Sequence, residues 1–212
     1  MNQWPHILDL WQWVCGMPTR LQATCRFGGH HNIEVEDEVH VFAEYENGAT
    51  VFLTGSTGEA PGSERIEIVG SQGRIIADGD QLQLLRLKVP APDFIATAQP
   101  GFPSPSSTVE TETLDPNGDY AAGITRDFVA AIQNGTGGPL IAPGTEGAAG
   151  AMLANAILLS AWSDRAWIPL PLDLLSEERF EHLLAGRIRT SVQSAATSSA
   201  VFTLEDSFRR PG

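Results

Sequence analysis

The sequence predicts an α+β domain: a mostly antiparallel, open-faced sheet with helices packed on one face. Strand-like segments crowd into residues 19–88, and the turns between them are too short for the crossovers that parallel strands need. Helical spacing dominates only after about residue 120, so strands and helices are grouped rather than alternating. A hydrophobic content of 42% against 18% charged residues fits a packed chain rather than a disordered one. At 212 residues there is material for one substantial domain, or a domain plus a tail.

The first element is a helix from about Pro5 to Val14, opened by a favoured first-turn proline and stopped by Gly16 and Pro18. Thr19 to Phe27 reads as a strand, and Gly28 to Asn32 as a loop. Ile33 to Tyr45 alternates clearly, with Val39, Val41, Ala43 and Tyr45 on one face. Asn47-Gly48 predicts a tight primed hairpin turn, since both residue types tolerate positive φ, and Thr50 to Ser56 is its returning strand. Further strands follow over Arg65–Val69, Arg74–Ala77 and Gln81–Lys88. Residues 89–109, rich in Pro, Ser, Thr and Ala, read as a long surface excursion, and Thr111–Leu114 as one more short strand.

Ile124, Phe128 and Ile132 mark a helix over Tyr120–Asn134, ended by Gly135. A second helix, Thr145–Ser163, is rich in Ala and Gly, which permits close packing on a neighbour. Trp167–Leu170 is a short strand, and Ser176 is the expected N-cap of a last helix through Leu184. The domain therefore spans residues 1–185, and 186–212 is expected to be a disordered tail.

A formal charge of −13, from 26 acidic and 13 basic side chains, argues against a nucleic-acid or anionic-membrane surface. No apolar run approaches the ~18 residues of a membrane span, and the start lacks a secretory pattern, so a cytoplasmic protein is expected. Cys15 and Cys25 are then expected as reduced, buried thiols. No CxxC, HExxH, P-loop or GxSxG motif is present.

Three clusters can carry chemistry. Asn2, His6 and Asp9 stand four and three residues apart at the start of the first helix, so His6 and Asp9 share a face. A histidine beside an amide and a carboxylate suits proton transfer near neutral pH, although a structural histidine with Trp4, Trp11 and Trp13 as core is the plainer alternative. Residues 30–37, His-His-Asn-Ile-Glu-Val-Glu-Asp, raise a metal reading through His30, Glu34 and Glu36. In a strand, however, Glu34 and Glu36 share a face while adjacent histidines diverge, so an acidic strand end at a polar cleft is the better expectation. Ser56-Thr57-Gly58-Glu59 ends a strand with groups able to bind sugar hydroxyls. The Gly70–Gly73 turn joins two strands and opens no helix, so it is structural and not a dinucleotide loop.

In order along the chain, Asn2-Gln3-xx-His6-xx-Asp9, Gly16-Met17-Pro18, Ile33–Asp37, Glu46–Ala49, Glu64–Ile68 with Gly70 and Gly73, Asp127-Phe128, Leu153–Trp162 and Ile168–Asp173 can be read together. This series resembles the C-terminal domain of the glucose–fructose oxidoreductase / inositol dehydrogenase / MocA (Gfo/Idh/MocA) family, over about residues 1–185. The resemblance implies a substrate and oligomerisation domain of a nicotinamide-dependent oxidoreductase, acting on a hydroxyl of a sugar, sugar derivative or cyclic polyol. It implies a proton-transfer role for His6 and hydrogen bonding by Asn2, where many relatives carry Asp. From the residues themselves, Asp9 is expected to fix the helix or the histidine and to lie at the substrate site, with Glu34, Thr57 and Glu59 as substrate contacts. NAD or NADP would serve the intact enzyme and would be held by an N-terminal Rossmann domain.

No glycine-rich dinucleotide motif occurs in this sequence, and Lys88, its only lysine, lies in a strand and is no equivalent of the family's catalytic lysine. Met1 accordingly reads as an internal methionine of a longer enzyme, and the chain as a truncated or separately encoded domain. Alone it is expected to bind no cofactor and no metal, and to be inactive without a Rossmann partner. A homo-oligomer through the sheet face is expected. A non-catalytic oligomerisation or interaction module is the alternative from a different class.

Overall fold

The computed structural model describes residues 4–115, 120–135 and 140–197. In chain order it contains α1 (Pro5–Cys15), β1 (Arg20–Phe27), β2 (Glu36–Glu44), β3 (Thr50–Ser56), β4 (Arg65–Gly70), β5 (Gly73–Asp78) and β6 (Gln81–Leu87). These are followed by α2 (Ala91–Thr97), β7 (Ser107–Thr113), α3 (Tyr120–Gln133), α4 (Gly147–Trp162), β8 (Ile168–Pro169) and α5 (Leu174–Thr197). The α+β class and the antiparallel pairing are as the sequence predicts. The strands, however, divide between two four-stranded sheets, ordered β3-β2-β1-β8 and β4-β5-β6-β7. Alternation reports which way side chains face but not which strand is the neighbour.

The chain splits into two compact units: residues 1–58 with 131–212, and residues 59–130. In the first, the inward residues Leu21 and Ala23 of β1 and Val39, Val41 and Ala43 of β2 are buried. They pack with Leu153, Ala156, Ile157 and Leu159 of α4, with Leu8 and Trp11 of α1, and with Ile168 and Phe180. Each fully buried Leu or Ile contributes about 1.5–3 kcal/mol. The small residues of α4 let it settle against β1 on one side and α1 on the other. The opposite face of this sheet remains open: Arg20, Thr24, Arg26, His40, Thr50, Phe52 and Thr54 are all exposed.

The β2–β3 hairpin forms at Asn47-Gly48, but only Gly48 adopts positive φ (82°). Tyr45 C=O accepts from Gly48 N–H, and the Asn47 side chain accepts from Ala49 N–H. The asparagine serves the turn as a side-chain acceptor rather than through left-handed backbone, so the predicted primed turn is replaced by a longer one.

In the second unit, β4 and β5 turn through Ser71-Gln72, confirming a structural role for Gly70–Gly73. The excursion over 89–109 contains the short helix α2, which carries a proline in its first turn. Ile124, Phe128 and Ile132 do lie on a helix, α3, yet each is more than half exposed.

The end of the chain departs most from expectation. Asp173, not Ser176, caps α5: its carboxylate accepts the Ser176 N–H at 2.8 Å. The helix runs past Leu184 to Thr197, so the predicted disordered tail is corrected for residues 186–197. Gly186 lowers helix propensity without supplying a stop, and the Ala-containing segment beyond it continues the ladder. Residues 198–212 lie outside the described residues.

Candidate functional site

Pro5 starts α1 and places His6 and Asp9 one turn apart on the same side, as predicted. Both are exposed, and both line a groove of about 570 Å³. Its other wall is the segment leading into α4 (Ala142, Pro143, Gly144) and the first turns of that helix, where Gly147, Gly150 and Ala151 leave room. The groove exists because α4 presents almost no side-chain volume where it meets the start of α1. A volume of this size suits a small-molecule ligand.

Asp9 accepts a hydrogen bond from Gln12 Nε2 at 3.1 Å, one turn further along α1. Among the described residues no hydrogen bond links Asp9 to His6. The bond of Asp9 to Gln12 lies within α1 and fits the expectation that Asp9 fixes the helix. Asn2 lies outside the described residues. Of the tryptophans expected as core, Trp11 is buried and donates to Tyr45 Oη at 2.7 Å, Trp4 is half-buried, and Trp13 is 70% exposed. Trp13 is two residues from Trp11 and faces away from the core.

A second polar cluster forms where β1 ends, β2 begins and β3 ends. Asp37 is its centre, with a carboxylate that is 0% exposed. Gly29, His30 and His31 donate their backbone N–H groups to it at 3.0, 2.6 and 3.0 Å. Burial alone would push the carboxyl up, but the three donors prevail and hold it below its ordinary value. Glu38 takes one imidazole on each oxygen: His40 Nε2 at 2.8 Å and His30 Nε2 at 2.9 Å. These two bonds, that with His40 foremost, hold Glu38 below the usual carboxylate range. The His30 ring packs over Gly58, where a Cβ would collide with it.

Thr57 belongs to this cluster. Its N–H donates to the Asp37 carbonyl at 2.9 Å, and its Oγ1 stands 3.2 Å from His31 Nδ1. Glu59, by contrast, falls in the second unit and accepts from Ser63 Oγ at 3.3 Å. Glu34 is exposed in the bend before β2, which starts only at Glu36. The expected common face of Glu34 and Glu36 is therefore lost. Among the described residues no three His, Cys, Asp or Glu side chains are gathered as a metal would require, and His30 is engaged by Glu38.

Asp37 and the shared Glu38 were missed in the sequence, although one signal was present. A Gly-Gly-His-His loop a few residues before an Asp-Glu pair supplies unsatisfied backbone donors within reach of an acceptor. The cluster and the groove lie at one end of the same sheet, because the Trp4 indole, just before α1, rests directly on Gly55 of β3.

Every strand pair among the described residues is antiparallel. None of the described glycine turns joins a strand to a helix in the manner that cradles a pyrophosphate.

An antiparallel sheet with helices on one face and a groove of ligand size at its end defines an α+β domain. Residues 1–76 match the family described as the GFO/IDH/MocA C-terminal domain. A comparison with curated proteins gives no match. Among solved structures, the chain is similar to the WlbA dehydrogenase from Bordetella pertussis in complex with NADH and UDP-GlcNAcA, at 22% identity and a TM-score of 0.57 over 82% of this chain and 45% of that one. It is also similar to levoglucosan dehydrogenase in complex with NADH (18%, TM-score 0.57, 80% of this chain and 49% of that one). A third is a putative oxidoreductase from Klebsiella pneumoniae (19%, TM-score 0.56, 88% and 53%). These likenesses show a shared fold. The chain spans about half the length of the structures it matches.

Proposed function

We propose that this chain is the substrate-side domain of an NAD- or NADP-dependent oxidoreductase that acts on a hydroxyl of a sugar, sugar derivative or cyclic polyol. The groove carries this reading: it sets the imidazole of His6 and the carboxylate of Asp9 at the mouth of a cleft of ligand size. The NADH complexes of WlbA and levoglucosan dehydrogenase, and the UDP-GlcNAcA bound by WlbA, support the choice of cofactor and substrate class. The nicotinamide would sit on a Rossmann partner, and the chain alone would bind it weakly and turn over no sugar.

His6 is the residue that takes part in proton transfer, accepting the proton of the reacting hydroxyl. Asn2 would supply a hydrogen bond at the same site but cannot act as a base. Asp9 and Thr57 are proposed as substrate contacts, with Glu34 and Glu59 as more distant ones. We place the protein in the cytoplasm, where two free thiols are kept reduced. No described helix is long and apolar enough to cross a membrane.

The deciding experiment joins this chain to a Rossmann partner and replaces His6 by Ala. Loss of kcat by about 10²-fold or more is expected for a residue that moves the reacting proton. Unchanged turnover would abandon the role. Calorimetry of the isolated chain with NADH should show no micromolar binding.

A second reading, an oligomerisation module, is favoured by the open sheet face. Phe52 is 77% exposed with its ring 4.8 Å from that of Phe42, and Trp167 meets Phe42 edge-on at 5.6 Å. Burial of this face in a homo-oligomer is compatible with catalysis. Only full activity of the joined His6→Ala protein would leave the module reading standing alone.

A further inference from the structure

The cluster around Asp37 has a feature that stability alone does not require. A carboxylate with no exposed surface spends its acceptor capacity on three consecutive backbone N–H groups of one loop. The same residue's carbonyl accepts from the N–H of Thr57 at 2.9 Å and from its hydroxyl at 3.3 Å. One residue at the start of β2 thus fixes the backbone that carries His31, from the end of β1, and the side chain of Thr57, from the end of β3. The result is His31 Nδ1 held 3.2 Å from Thr57 Oγ1, with Thr57 exposed and His31 22% exposed. Loops ordinarily place side chains loosely, whereas a recognition site needs them held within a fraction of an ångström.

The geometry points to Asp37 as a positioning residue that presents His31 and Thr57 as a paired donor–acceptor edge to a substrate hydroxyl. This rests on the carbohydrate reading above and deepens it. Asp37 touches no ligand itself and acts through the loop. A hydroxyl-bearing ligand suits the edge, because the Thr57 oxygen still accepts while its proton goes to the Asp37 carbonyl, and an imidazole nitrogen beside it donates or accepts according to its tautomer. The position agrees with the groove, since Trp4 ties the start of α1 to Gly55, two residues before Thr57.

The test follows the histidine imidazole and threonine methyl signals of the full chain by NMR while D-glucose, and separately myo-inositol, is titrated in. Saturable shifts are expected at His6, His31 and Thr57. Asp37→Asn should weaken the response at His31 and Thr57 by about tenfold, the size of one lost well-placed hydrogen bond. Thr57→Val, at an exposed site that keeps its backbone N–H, should weaken binding similarly if Asp37→Asn fails to fold. Shifts at His6 with none at His31 or Thr57, or affinity unchanged in the variants, would overturn the positioning role and leave the carbohydrate reading intact. No shift at any of the three with either probe would overturn both.

Discussion

Ser160 and Ala23 are joined by a buried hydrogen bond: the Ala23 N–H of β1 donates to Ser160 Oγ of α4 at 2.8 Å. The hydroxyl in turn donates to the Ala166 carbonyl at 2.7 Å. The cause is the shortness of β8, which pairs with Arg20 and Leu21 and ends there, so the next inward N–H of β1 has no strand partner. A serine on the packing face of α4 completes the sheet edge.

Ser160→Ala should therefore cost about 1–3 kcal/mol, because it leaves the buried Ala23 N–H and the part-buried Ala166 carbonyl without this partner rather than removing a surface contact. Urea unfolding measures it. A loss below a few tenths of a kcal/mol would mean the edge is satisfied in another way.

Gly55 is required for steric reasons. A Cβ there would run into the Trp4 indole. Gly55→Val should destabilise the first unit by about 1–3 kcal/mol, in the range of overpacked cores. It should also shift the tryptophan emission as Trp4 is pushed outward. Unchanged emission and stability would show that Trp4 does not rest on β3.

The paired carboxylates set an acid limit. Asp37 and Glu38 are both held below their ordinary values in the folded chain. Their contribution to stability is thus complete above the unfolded carboxylate values, about pH 4, and disappears as the pH falls through the lower folded values. Unfolding free energy should fall on acidification below about pH 4. Asp37→Asn should show a shallower acid slope together with lower stability at neutral pH. An identical slope would remove Asp37 from the account.

The two thiols should differ in reactivity. Cys15 is free and exposed at the end of α1, contrary to the expectation that both are buried, whereas burial pushes the Cys25 thiol up to about 11. Iodoacetamide at neutral pH should label Cys15 alone in the folded chain and both residues in urea, as read by mass spectrometry. Equal labelling of the native protein would contradict the packing of β1.

Much of the fold was legible because it depends on local periodicity. The alternation Val39, Val41, Ala43 gave β2 its inward face, and Pro5 with Gly16 bracketed α1. Helix α4 was legible from its small residues, and the groove beside His6 follows from the same residues, though no spacing rule announces a cleft. Asp37 looked like one of several acids at a strand end. Its importance comes from the loop that returns over it, which brings residues six to eight positions away onto one carboxylate.

The sequence by itself determined the α+β class, the antiparallel pairing and the common face of His6 and Asp9, since each follows from side-chain period and turn length within a short window. Tertiary structure decided which acids matter and how the strands share two sheets. It also decided that Asp9 is hydrogen-bonded to Gln12, and that Thr57 meets His31 while Glu59 meets Ser63. Those outcomes depend on which backbone donors lie within ~3 Å of a given acceptor, a distance that only the folded chain sets.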